Sequence, residues 1–308
     1  MAPIVASNAE AGDQAMSDGI TYDPLYVAAR RVLLDALSTL APHGKAIVVV
    51  GAQAVYLRTD LNDIALTIAP YTTDGDLALD PTLLGDEPKL EESMRRAGFQ
   101  LLEQDGKHAQ PGTWCATETV NGKDVVIPID LIVPEAAISS AGRRGARLGA
   151  HGNQAARRVV GLEAALVDHG TMTVAALDPL DDRQLTVEVA GFAALLVAKA
   201  HKIHDRVASG RANRLSDKDA SDVFRIMQAA SPTAVAATFD ELLRDPLAGE
   251  VTLQSLEFME ELFARRAGYG IVMAKRALRL AVDEAQVETL CMSFATKLLE
   301  TRQRRVFP

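Results

Sequence analysis

The stretch Ala46 to Val50, AIVVV, runs without a spacer into GAQAVYLRT. Five apolar residues in a row, three of them valine, read as a buried strand. The segment GAQAVYLRT suits a short helix, so Gly51 marks a sharp strand-to-helix turn, a place that favours glycine. Around this unit the pattern is mixed. DPLYVAARRVLLDALSTLAP (Asp23 to Pro42) has the period of an amphipathic helix, with Asp23 as N-cap and Pro24 at the first helical position. Strands are expected at Ile64–Ile68, Asp74–Leu79, Phe99–Glu103, Thr113–Val120 and Asp124–Val133, and a polar helix near Lys89 to Ala97. Beyond Gly191 the signal becomes almost entirely helical, as in FAALLVAKAHKIHDRV and SLEFMEELFARRA. The expected architecture is therefore α/β (α+β). A mixed twisted sheet flanked by helices occupies residues 23–190, after a flexible lead-in (1–22). An all-helical part (191–308) completes a bilobed molecule with a cleft between the halves.

Bulk properties narrow the function classes. With 308 residues, 48% hydrophobic and 24% charged, the chain has ample material for a core. A net charge of −9 argues against a coat of positive charge for non-specific nucleic-acid binding, though not against a local basic patch. Cys115 and Cys291 lack any CxxC partner, so neither a disulfide framework nor a structural zinc site is expected. No apolar run approaches the roughly eighteen residues of a membrane span. The N-terminus has no basic region followed by an apolar core, so it is a poor signal peptide. A reduced, cytoplasmic setting is the default expectation.

The chemistry concentrates in YTTDGDLALD (Tyr71 to Asp80). Asp74 and Asp76 stand two apart at the mouth of a strand, so their side chains share a face. Like charges that close are unfavourable unless a cation lies between them. Asp-Gly is also a good turn dipeptide, and a solvated turn is the plainer reading. Asp130 weighs against it. It interrupts the apolar strand DVVIPIDLIVPE, where a carboxylate is costly to bury unless it is paired or binds metal. Pro128 leaves room for a strand-end cap instead. Three carboxylates suit magnesium, a hard ion that takes few protein ligands and lets phosphates complete its shell. Two such ions can clamp a phosphoryl transfer.

On these residues the chain resembles the DNA polymerase β-like nucleotidyltransferase superfamily: a strand-glycine-helix turn at Gly51, a D-x-D at a strand start, and a third aspartate on a later strand. The resemblance implies two magnesium ions held by Asp74, Asp76 and Asp130, with Asp130 also helping to deprotonate an acceptor hydroxyl. It places the triphosphate of an NTP at Gly51 and Ala52. The family has Gly-Ser or Gly-Gly at this turn, and here Thr72, Thr73 or Gln53 would have to supply the missing hydroxyl or amide. Gly75 stands where the family carries an apolar residue.

The helix after Gly191 adds a second pattern. Phe192, Leu196 and Ile203 share one face at 100° per residue, and Lys199 falls within that apolar stripe. It either snorkels or reaches a phosphate in the cleft. On the next helix Asp219 aligns with Val223 and Ile226, beside Asp222, although Ser216 and Asp219 also fit a capping box. A lysine on one helix and K-D-x-x-D opening the next are similar to the AbiEii/MenT toxin branch. That resemblance makes Lys199 a phosphate contact, Lys202 a second candidate, and Asp219 a catalytic or conformational support. It implies the 3′ end of tRNA as acceptor and a cognate antitoxin as partner. A small-molecule nucleotidyltransferase and a non-catalytic nucleotide-binding module remain alternatives. The Gly/Arg-rich stretch Ser139 to Arg158 is either an RNA-facing loop or a surface loop. His201 and His204 lack the further ligands that a zinc site needs.

Overall fold

The structure, a computed structural model, describes residues 22–59, 70–104, 108–138, 145–210 and 217–306. The lead-in before Tyr22, the strand expected at Ile64–Ile68, residues 139–144 and Ser216 lie outside them. In chain order the elements are α1 (Pro24–Thr39), β1 (Ile47–Val50), α2 (Gly51–Thr59), β2 (Gly75–Leu79), α3 (Leu90–Arg96), β3 (Gln100–Gln104), β4 (His108–Val120), β5 (Lys123–Pro134), β6 (Arg157–Val159), β7 (His169–Ala175) and β8 (Gln184–Ala190). The remaining helices are α4 (Phe192–Ala208), α5 (Asp217–Ala229), α6 (Pro232–Leu242), α7 (Gly249–Phe263), α8 (Tyr269–Leu278) and α9 (Glu284–Val306).

The fold is α/β, built on one mixed sheet of eight strands in the order β3-β4-β5-β2-β1-β8-β7, with β6 against β5. Helix α1 starts where its sequence dictates, with the Asp23 carboxylate accepting the Leu25 N–H at 2.8 Å and Pro24 in the first turn. Its apolar side, which includes Leu33, covers β2, β4, β5 and β8. The hairpin of β7 and β8 and the short β6 are additions to the strands expected from the sequence. Leu185, Val187 and Val189 carry the alternation of a strand, but the charged and Asp/Pro-rich residues between β7 and β8 obscure it. Part of the Gly/Arg-rich stretch is thus strand rather than loop: Arg157 to Val159 pair in parallel with Ile132 to Pro134.

One detail of the sheet prepares the site. Along one side β5 meets β2, from Gly75 opposite Ile129 to Ala78 opposite Ile132. Along its other side it meets β4 as far as Asp130, then β6 from Ile132 onward. Gly112, with φ +75°, turns β4 away at this point. A Cβ there would lie 2.3 Å from the Arg157 backbone N and 2.7 Å from the Leu131 carbonyl. Only glycine lets three backbones converge so closely. Asp130 therefore sits where the sheet exchanges one neighbour for another.

The sheet ends at Ala190 and α4 begins at Phe192, where the sequence pattern changes. The hydrophobic core crosses that point as one connected cluster, from Val49, Leu77 and Leu131 in the strands to Leu196, Phe239 and Leu298 in the helices.

Candidate active site

Strand register brings two of the three aspartates together. Asp76 is the direct partner of Asp130 across the parallel β2–β5 pair, and of Val50 across the antiparallel β1–β2 pair. Partners on adjacent strands project from the same face. Gly75 points the other way, toward α1. A Cβ on it would lie 2.8 Å from Ile129 Cδ1 and 3.3 Å from Leu33 Cδ1, so an apolar residue here would require those side-chain ends to shift. Asp74 flanks the strand on the Asp76 side, where Thr72 Oγ1 donates to its Oδ1 at 2.5 Å. Gly51 comes directly after Val50 at the start of α2 with φ +69°, and a Cβ there would stand 2.0 Å from Asp76 Oδ2. The glycine serves both the left-handed turn and the space for the carboxylate.

Crowding shows in the electrostatics. Burial, then Asp74 and then Asp130 push the Asp76 carboxyl up to about 6, and Lys202 and Arg157 only partly offset this. Arg157 Nη2 donates to Asp130 Oδ2 at 2.5 Å, while Asp130 Oδ1 is buried with no hydrogen-bond partner. Among the described residues no three His, Cys, Asp or Glu side chains form a group able to hold an ion by themselves. Magnesium does not require such a cage, because water and substrate phosphates supply most of its ligands. An oxygen-only donor set with one orphaned carboxylate oxygen fits that ion.

A cavity of 740 Å³ opens beside Asp76, with Gly51, Arg157, Lys199, Lys202 and Arg206 in its lining. A second, of 570 Å³, is lined by Asp74, Asp130, Arg157 and Arg158. The first carries five cations, Arg157, Arg158, Lys199, Lys202 and Arg206, against Asp76, Glu135 and Asp205, an excess of positive charge in a chain of net charge −9, although each of these cations already faces a carboxylate.

The structure separates the roles of the two lysines on α4. Lys199 is buried, and its ammonium donates to Asp219 at 2.8 Å and Asp222 at 2.6 Å rather than standing against Asp74 and Asp76. Burial alone would lower its pKa, but these carboxylates outweigh burial and raise it. Burial likewise favours neutral Asp219, yet Lys199, Lys202 and Arg206 hold it well below the usual carboxylate range. Lys202 is half-exposed, 3.2 Å from Asp219, and its charge is the one felt at Asp76. Arg206 also donates to Asp219.

Lys218, the lysine of K-D-x-x-D, is a site neighbour to which the sequence reading assigns no role of its own. Its ammonium donates to Thr72 Oγ1 at 3.0 Å, so α5 reaches Asp74 through the Thr72 hydroxyl. A signal exists: a lysine in the first turn of a helix opposes the macrodipole and calls for a compensating partner. Arg157 reads in the sequence only as part of a basic run. Ala52 is buried at the start of α2, and Thr73 is half-buried beside Asp74. The Gln53 side chain accepts from Arg30 Nε at 2.9 Å and reaches the Asp74 carbonyl at 3.5 Å. His201 Nε2 donates to the Val251 carbonyl, and His204 stacks on Phe258 with centroids 3.7 Å apart. Cys115 and Cys291 are unpaired with each other, and no helix among the described residues is long and apolar enough to cross a membrane. Compared with known proteins, the chain matches no protein-family model and no curated protein sequence.

Proposed function

We propose that the protein is a magnesium-dependent nucleotidyltransferase that moves NMP from an NTP to an acceptor hydroxyl and releases pyrophosphate. The observation that carries this reading is the register pairing of Asp76 with Asp130 at the edge of a cation-lined cavity that begins at Gly51. Asp74, Asp76 and Asp130 would hold magnesium, which supplies charge neutralisation of the phosphates and of the leaving pyrophosphate. Gly51 exposes the N-terminal backbone of α2 for close approach of a phosphate, favoured by the helix dipole. Lys202 and Arg206 add point charges along the cavity wall. Asp130, the third carboxylate, would also accept the proton of the acceptor hydroxyl. Lys199 acts from behind, fixing α5 against α4 through Asp219 and Asp222.

For the acceptor, the resemblance to AbiEii/MenT toxins supports the 3′ end of tRNA, with the activity held in check by an antitoxin. The test incubates the pure protein with each labelled NTP, Mg²⁺ and total tRNA, in parallel with a panel of aminoglycosides. Label on RNA supports the reading in full. Label on a small molecule keeps nucleotidyl transfer and removes the toxin. Absence of both transfer and Mg²⁺-dependent NTP binding overturns the proposal.

A further inference from the structure

Arg157 is the cation in direct contact with the carboxylate pair. Its Nη2 lies 2.5 Å from Asp130 Oδ2, and the guanidinium lines both cavities. Its backbone is locked on several sides. β6 pairs with β5 at Ile132, Gly145 forms a bridge to Arg157 itself, and Gly112 packs so close to its backbone N that a Cβ would not clear it. The side chain is the part free to change partner, and about a third of it is exposed. Asp130 Oδ1 meanwhile has no hydrogen-bond partner. A partly buried carboxylate with one oxygen clamped by arginine and its buried second oxygen unpartnered is half satisfied, which is costly for a permanent structural pair. That arrangement suits a pair meant to be broken.

We infer that Arg157 is an exchangeable counter-ion: it holds Asp130 while the site is empty, yields it to a divalent cation, and then binds the polyphosphate of the substrate. The inference rests on the proposed metal site and adds to it a residue with two successive partners. Two positive charges cannot share Asp130 cheaply, so metal and Arg157 compete for it. Once displaced, a guanidinium anchored at the border of both cavities meets phosphate oxygens, for which its planar fork is well matched. Removing the guanidinium should therefore help the bare metal and hurt the anion. A purely structural salt bridge would do neither.

The test measures Mn²⁺ binding to the nucleotide-free protein by electron paramagnetic resonance, and Mg²⁺-dependent binding of a non-hydrolysable NTP analogue by calorimetry. Arg157→Gln keeps an unbranched polar side chain without the charge, and Arg157→Ala is the second variant; thermal unfolding confirms that each is folded. Arg266→Ala serves as the control, because Arg266 pairs with Glu288 at 3.2 Å on the helical side and lines neither cavity. Both Arg157 variants should bind Mn²⁺ roughly tenfold more tightly than wild type, the factor for one lost charge-assisted competitor. They should bind the analogue about tenfold more weakly, while Arg266→Ala leaves Mn²⁺ affinity unchanged. Unchanged or weaker Mn²⁺ binding in folded Arg157 variants overturns the inference. If wild type binds Mn²⁺ and Asp76→Asn abolishes that binding, the metal site itself stands and only the exchange fails. If neither wild type nor the Arg157 variants bind Mn²⁺, the metal site falls as well.

Discussion

Gly51 combines two requirements that no other residue meets together. Its φ of +69° is a conformation in which a Cβ costs about 1–2 kcal/mol, and its missing side chain leaves room for Asp76 Oδ2. Gly51→Ala should lower unfolding free energy by at least ~1 kcal/mol in denaturant titrations and reduce nucleotidyl transfer far more steeply, since the Cβ displaces the carboxylate. Wild-type transfer by a destabilised Gly51→Ala protein would remove Gly51 and Asp76 from the chemistry. Asp76 carries a second prediction. Its folded pKa is raised to about 6, above the ordinary aspartate value, so its contribution to stability is fully present below about pH 4 and lost as pH rises through 6. Ionised Asp76 is thus a cost at neutral pH without metal. Asp76→Asn should be more stable than wild type by on the order of 2 kcal/mol at pH 7.5 in EDTA, with the difference vanishing near pH 4. Added Mg²⁺ should stabilise wild type and not the variant. A pH-independent difference between the two would show that the carboxylate is not crowded in solution.

At the scale of elements, the pair α4 and α5 is held by charge as well as by apolar packing. Lys199, Asp219 and Asp222 are all buried, and removal of Lys199 strips Asp222 of its 2.6 Å ion pair while Asp219 keeps Lys202 and Arg206. Lys199→Met preserves the apolar stem and should still cost about 3 kcal/mol in unfolding free energy. The double variant Lys199→Met/Asp222→Asn should regain part of that loss, because it removes a stranded charge along with its partner. A Lys199→Met protein as stable as wild type but inactive would return Lys199 to a direct phosphate contact. Much of this arrangement was legible in the sequence. Helical spacing alone put Lys199, Asp219 and Asp222 on apolar faces, and period two put Asp74 and Asp76 on one face. What stayed hidden was partnership. Spacing says which way a side chain points, whereas the ion pair of Lys199 with α5, and that of Arg157 with Asp130, join residues 20 to 27 positions apart. Sequence separation carries no term for such pairings. Strand register had the same limit: nothing local to GDLAL sets Asp76 opposite Asp130.

For the whole molecule, size and core continuity make opposing predictions. A chain of 308 residues exceeds the length at which single cores usually split, and its sequence pattern changes near residue 190 as if it had. The core nevertheless runs unbroken from β1, β2 and β5 into α4, α6 and α9, and α2 touches both α4 and α5. Charge reinforces the same join, because Lys218 on α5 donates to Thr72 beside the D-x-D strand. Shared burial of this kind links the two halves energetically, so neither retains its full apolar burial when the other unfolds. Scanning calorimetry should therefore show one transition with calorimetric and van't Hoff enthalpies in agreement. Lys199→Met, a change in the helical half, should shift that entire transition downward by ~4–6 °C, as expected for a loss of about 3 kcal/mol in a chain of this size. Circular dichroism at a helix-dominated wavelength and fluorescence of Trp114, which is buried in β4, should report the same midpoint in both proteins. A helical transition that moves while the Trp114 signal stays in place would show two independently folding domains. The cavity-lining residues on α4 would then be free to move as a body relative to Asp76 and Asp130.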